Sequence, residues 1–284
     1  DLGNDWVDSL GEGMYAYQDA ATELWGYRSV SGEVEIAPQF REAGRFADGL
    51  AIVSVGDDWF SALRGVIDRE GNFVIPPAYE SIQYLGEGLY AVAKDVEGFG
   101  QSYFLQYAIF SAGGRQLTDF RYYDVSLTPY GISVSDGRET YFLRRSGERD
   151  FSLPSAEGRG RMYPVNDLIA VEVDGALRYV TLDGRTVWEA SLSMPLAGGG
   201  EVRAEKHRAG PFVLIRYPQV AGLPNQEAQE RINQRLYEAF VSAQVPGTGG
   251  DWVSVEVDYT AQQIGRILVV RLDGYWYPAG AAHG

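Results

Sequence analysis

One spacing constrains this chain more than any other: 39 residues separate Gly32 from Gly71, Pro38 from Pro77 and Gly49 from Gly88. Three landmarks on one period mark a tandem repeat, whose units cannot bury a face alone and must stack on their neighbours. The better copy runs Arg64-Gly65-Val66-Ile67-Asp68, turns at Glu70-Gly71, and returns through Phe73-Val74-Ile75-Pro76-Pro77-Ala78-Tyr79. Gly86-Glu87-Gly88 then leads into Leu89-Tyr90-Ala91-Val92. The preceding copy holds Trp25-Gly26-Tyr27, Gly32, Ile36-Ala37-Pro38-Gln39-Phe40 and Gly49-Leu50-Ala51-Ile52-Val53. Branched and aromatic residues between Gly turns read as short strands, with glycine supplying positive φ. Pro76-Pro77 is expected to end the return strand, because proline cannot donate to a ladder.

Weaker copies follow at Tyr107–Gly114, Tyr141–Gly147 and Arg178–Gly184. The expected fold is mostly β. About five tandem antiparallel repeats of three or four strands fill residues 1–195, in a propeller-like ring or an open solenoid.

These residues resemble the WG-repeat family of bacterial proteins, whose units read Trp-Gly-Tyr-Ile-Asp, a Gly turn, Val-Ile-Pro-Pro, Tyr, then Phe and Gly-Leu-Ala-Val. The resemblance covers residues 6–190. It implies a repeat architecture and no shared catalytic site. Trp25 reads as an aromatic packed between units rather than as a ligand platform.

After Gly198-Gly199-Gly200, read as a flexible breaker, the pattern changes. Phe212–Tyr217 reads as a strand. Asn225 is a good N-cap for a helix whose apolar face is Ala228, Ile232, Leu236, Ala239 and Phe240. Val253, Val255, Val257 and Tyr259 alternate with polar residues as a half-buried strand, and a second strand is expected from Ile264 to Leu272. Residues 201–284 therefore read as a small α+β domain. Ile215–Asn225 and the closing Gly280-Ala281-Ala282-His283-Gly284 resemble a domain of exported Gram-positive proteins. That domain occurs in the lysozyme-sensing anti-sigma factor and beside the catalytic domain of some peptidoglycan deacetylases. The resemblance implies an extracytoplasmic protein, with a domain that continues beyond this motif.

Composition excludes several chemistries. The chain has no cysteine, hence no disulfide, thiolate metal site or Cys nucleophile, and only two histidines, His207 and His283. No metal and no cofactor is expected. No run of 18 apolar residues provides a membrane span. Asp1–Asp5 is not the basic start of a signal peptide, so the chain reads as cytosolic or as separated from an export segment. Residues 1–200 hold 16 Lys/Arg against 30 Asp/Glu, whereas residues 201–284 hold 8 against 9. The acidic repeat half repels phosphate backbones and anionic lipid, so nucleic acid is not an expected partner.

His283 reads as a turn residue and His207, in Glu205-Lys206-His207-Arg208, as a solvated one. Asp57-Asp58 and Asp183 could serve a carboxylate pair for glycoside cleavage, but acidic turn residues are the commoner case. Two aromatic groups are candidate binding surfaces: Trp59 and Phe60 in a loop between repeat strands, and Tyr275, Trp276 and Tyr277 near the C-terminus. The expected function is a non-enzymatic binding or scaffold protein of the bacterial cell envelope, recognising a protein or a cell-wall glycan. A wall-glycan hydrolase and a cytosolic interaction module are the alternatives.

Overall fold

The computed structural model describes residues 6–58, 61–96, 104–191, 193–244 and 252–278. Among the described residues, twenty-four strands form six small sheets, and each of the first five is one repeat. The first holds β1 (Trp6–Gly11), β2 (Met14–Gln18), β3 (Trp25–Ser29) and β4 (Val34–Phe40); the second holds β5 (Glu42–Ala43), β6 (Ala51–Val55), β7 (Leu63–Ile67) and β8 (Phe73–Tyr79). The third has three strands, β9 (Ser81–Gly86), β10 (Leu89–Asp95) and β11 (Leu105–Ser111), and isolated bridges such as Phe110 to Gln116 stand where its return strand would lie. The fourth holds β12 (Asp124–Thr128), β13 (Gly131–Ser135), β14 (Glu139–Leu143) and β15 (Ala156–Glu157); the fifth holds β16 (Gly160–Val165), β17 (Leu168–Val173), β18 (Ala176–Val180) and β19 (Thr186–Glu189).

One turn recurs in all five. Gly32, Gly71, Gly114, Gly147 and Gly184 have φ between 76° and 91°. Each donates its N–H to the carbonyl three residues back, namely Ser29, Asp68, Ser111, Arg144 and Thr181. The degenerate copies have kept the one residue whose backbone conformation only glycine adopts without strain.

The Trp-Gly and Pro signals are two halves of one bulge. Tyr27 pairs with Ile36 and Trp25 with Phe40, so Ala37-Pro38-Gln39 lie opposite Gly26 alone. Val66 pairs with Ile75 and Arg64 with Tyr79, which sets Pro76-Pro77-Ala78 opposite Gly65. A Cβ on Gly65 would lie 2.8 Å from the Ile75 carbonyl oxygen and 2.9 Å from Pro77 N. The prolines therefore do not end the return strand as expected. They occupy the bulge, where no ladder donor is required, and pairing resumes at Phe40 and Tyr79.

Contacts divide the chain into two compact units. One comprises Asp1–Val96, Ser102–Leu127 and Leu143–Arg149; the other comprises Glu97–Gln101, Thr128–Phe142 and Asp150–Gly284. In the first unit the second sheet is buried on both faces. Ile67 packs with Met14, Tyr27, Phe40 and Val53 in one cluster, while its neighbour Val66 packs with Ile75, Tyr90, Val92 and Phe110 in the next. Turn carboxylates add polar contacts between repeats. Glu12 accepts the Gly49 N–H at 2.9 Å and pairs with Arg69 at 3.5 Å, Asp48 accepts the Tyr84 hydroxyl, and Glu87 takes the Arg145 guanidinium. Arg145 holds the Glu87 carboxyl below its ordinary range.

In the second unit, Met162, Ile169, Val171 and Phe142 form a cluster of the same kind. The sixth sheet has the order β20 (Ser193–Pro195), β21 (Glu201–Arg208), β22 (Val213–Ala221), β23 (Trp252–Ile264) and β24 (Ile267–Pro278). Pro195 pairs with Glu201, so the triple glycine forms a hairpin turn inside this sheet rather than a breaker ahead of it. Ile264 ends β23 instead of opening the next strand. Gly265, at φ 62°, makes the turn into β24.

Helix α1 (Gln226–Tyr237) is capped by Asn225, whose Oδ1 accepts the Ala228 N–H at 2.9 Å. A π-helical turn, Glu238–Ser242, follows and sends Phe240 and Val241 into the core against Ile215, Val255 and Val257. The expected apolar face is thus only partly covered, and Ile232 remains 39% exposed.

Candidate functional site

Strand β24 alternates between two environments. Trp276 lies opposite Val255 and packs, partly buried, on the core beneath the helix. Tyr275 lies opposite Glu256 on the uncovered face and is 66% exposed. Ile264, Ile267 and Val269 lie on that same face of the β23–β24 hairpin and are also exposed. The structure therefore divides the C-terminal aromatic group into an anchor, Trp276, and a presented ring, Tyr275. The side chain of Tyr277 lies outside the described residues, as do Trp59, Phe60 and His283.

Next to this surface is a charge cluster that sequence reasoning missed. The turn between β17 and β18 is Asp174-Gly175, with φ of 51° and 72°. The Asp174 side chain is 2% exposed. It accepts the Arg159 N–H at 2.9 Å and Lys206 Nζ at 2.9 Å, and it pairs with Arg208. Arg216 donates to the Asp174 carbonyl at 2.8 Å and pairs with Asp258 of β23. Glycine makes the close approach possible, since a Cβ on Gly175 would fall 1.3 Å from Arg216 Nη1. Donors satisfy the Asp174 carboxylate from several sides. It thus acts as a fixed counter-charge joining the fifth repeat to the C-terminal sheet, and its lone pairs are occupied by partners rather than presented to a substrate proton.

β22 and β23 are parallel and pair only from Val213 with Val255 to Ile215 with Val257. Beyond that point lies a cleft of about 310 Å³, lined by Met194, Val202, Arg216, Asp258 and Tyr259 among others. The exposed edge of β22 is capped by the helix. Asn233 Oδ1 accepts the Val220 N–H at 2.8 Å and Asn233 Nδ2 donates to the Val220 carbonyl at 2.9 Å.

The remaining candidates serve their own loops. Asp58 accepts the Ser61 N–H and hydroxyl at 2.8 and 2.9 Å. Asp183 takes the Thr181 hydroxyl, which lowers its pKa. His207 is half-buried in β21 rather than solvated, and its ring meets Tyr237 edge-on at 6.4 Å. Its burial was hidden because β21 is mostly charged, and Val202 is its one buried apolar side chain.

A different acidic pair appears in the first unit. Burial, and then the charge of Asp95, push the Glu80 carboxyl up. Asp95 Oδ1 is buried without a hydrogen-bond partner among the described residues. Among the described residues no group of three His, Asp or Glu side chains could hold a metal ion, and no helix is long and apolar enough to cross a membrane.

Residues 25–59 and 65–95 match the WG containing repeat family. No curated protein matches the sequence. Among solved structures, apo AztD from Citrobacter koseri is similar at 11% identity and a TM-score of 0.34, over 76% of this chain and 68% of that one.

Proposed function

We propose that the chain is a binding or scaffold protein of the bacterial cell envelope that recognises a protein or a cell-wall glycan. In this reading the repeats form a propeller-like array, and the C-terminal sheet presents the recognition face. The observation that carries it is Tyr275, which stands 66% exposed opposite Glu256 on a sheet face whose other side is packed under a helix, with Ile264, Ile267 and Val269 exposed farther along the same face near the Gly265 turn. An exposed aromatic ring held on a paired strand, with the carboxylates of Glu256 and Asp273 on the same face, offers an apolar anchor with polar groups around it, the pattern of a recognition residue. The family match supports the repeat half, and the resemblance of residues 201–284 to an exported domain supports the location.

The test is recovery of partners from envelope extract by the native chain and by Tyr275→Ala, which touches no core residue. The expected result is loss of the recovered partner with an unchanged unfolding midpoint. Equal recovery by both forms removes the C-terminal face from the proposal.

A further inference from the structure

The first residue of the Trp-Gly motif occupies equivalent places in two successive repeats, as Trp25 and Arg64, 39 residues apart. Both line one pocket of about 360 Å³ together with Glu42, Gly44 and Ile52. That volume is at the small end of ligand sites, which begin near roughly 300 Å³. The pocket belongs to the first unit and shares no residue with the C-terminal face.

Each wall has a separate character. Trp25 packs on the first core cluster but remains partly exposed. Arg64 donates to Glu42 Oε2 at 3.0 Å and to the Glu80 carbonyl at 2.8 Å, and the Arg64 and Glu42 side chains are 37% and 36% exposed. Ser54 pairs across the sheet with both Glu42 and Arg64, so the three lie side by side on one face. The Ser54 residue is 1% exposed, and its hydroxyl has no hydrogen-bond partner among the described residues.

We infer that this pocket binds a neutral sugar ring, with Trp25 against the ring's apolar face and the Arg64–Glu42 pair on two adjacent hydroxyls. The chemistry selects that class. A guanidinium with donors to spare beside a carboxylate with a second oxygen offers one donor and one acceptor side by side, which suits a vicinal diol. The two charges cancel. An anion would meet Glu42 and a cation would meet Arg64, whereas an uncharged polyol meets no net repulsion. An indole supplies a large, flat apolar contact that ordinary hydrogen-bonding sites lack.

The experiment is calorimetric titration of the full chain with the trisaccharides of N-acetylglucosamine and of β-linked glucose at millimolar concentration. The native chain is expected to bind at least one of them. Trp25→Phe keeps an aromatic face and is expected to stay within about threefold, whereas Trp25→Ala weakens binding about tenfold or more. Glu42→Ala, on the exposed rim, is expected to weaken binding about fivefold or more with an unchanged unfolding midpoint. If Trp25→Ala fails to fold, Glu42→Ala decides. Absence of binding by the native chain, or native affinity in Glu42→Ala, overturns the inference. Partner recovery that depends on Tyr275 would survive either result, so the two proposals fail separately.

Discussion

Asn233 grips Val220 at both ends of one residue, accepting its N–H at 2.8 Å and donating to its carbonyl at 2.9 Å. A single side-chain amide thus supplies to β22 what a neighbouring strand would supply, and it blocks an edge that could otherwise pair with another chain. Only one orientation of the amide meets both partners.

Asn233→Asp keeps the size and loses the donor, setting a carboxylate against the Val220 carbonyl. The expected cost is about 2 kcal/mol at neutral pH. It should shrink as the pH falls and the protonated carboxyl donates again. Urea unfolding at neutral and acid pH measures both.

Asp174→Asn removes the charge beneath Lys206 and Arg208 without changing the shape, and Asn tolerates the positive φ of this turn. Leaving the half-buried Arg208 without its counter-charge should cost about 3 kcal/mol. Hydrogen exchange is expected to show β21 and β22 opening ahead of the fifth repeat. Simultaneous loss of protection in both would mean that another contact joins them.

Gly65→Ala is expected to destabilise by about 2 kcal/mol, because its Cβ meets the backbone of the bulge and backbone cannot step aside. Gly198→Ala is the control. Nothing lies within 4 Å of a Cβ there, so its unfolding midpoint should match that of the native chain.

Glu80 gives a pH prediction. Its folded pKa is raised, by burial first and then by Asp95. Its favourable contribution is therefore complete below the unfolded value and is lost as the pH rises through the folded one. Glu80→Gln should raise the unfolding midpoint at pH 7 and have little effect below the carboxylate range. An equal effect at both ends would assign the change to packing rather than to charge.

The sequence carried the repeat but not its joinery. The turn glycines were legible because positive φ leaves glycine as the ready choice, and the structure places one in each of five hairpins. The bulge was not legible. Pro76-Pro77 reads as a stop in any single strand, and only the partner strand, with Gly65 beneath it, shows that pairing resumes. β21 escaped for the opposite reason. Lys206 and Arg208 point to a carboxylate brought from a distant turn, so no local apolar period marks the strand. Of the C-terminal aromatics, period-2 alternation alone would have separated Tyr275 from Trp276, had the strand's covered face been known.

Val66 and Ile67 are adjacent, both fully buried, and serve different interiors. A single inserted residue in β7 would swap the tenants of both chambers at once, and no local repair could mend one without disturbing the other. Length changes accepted during the divergence of such a chain must therefore gather between hairpins. The glycines do follow that course: 39 residues lie between Gly32 and Gly71, then 43 to Gly114 and 33 to Gly147.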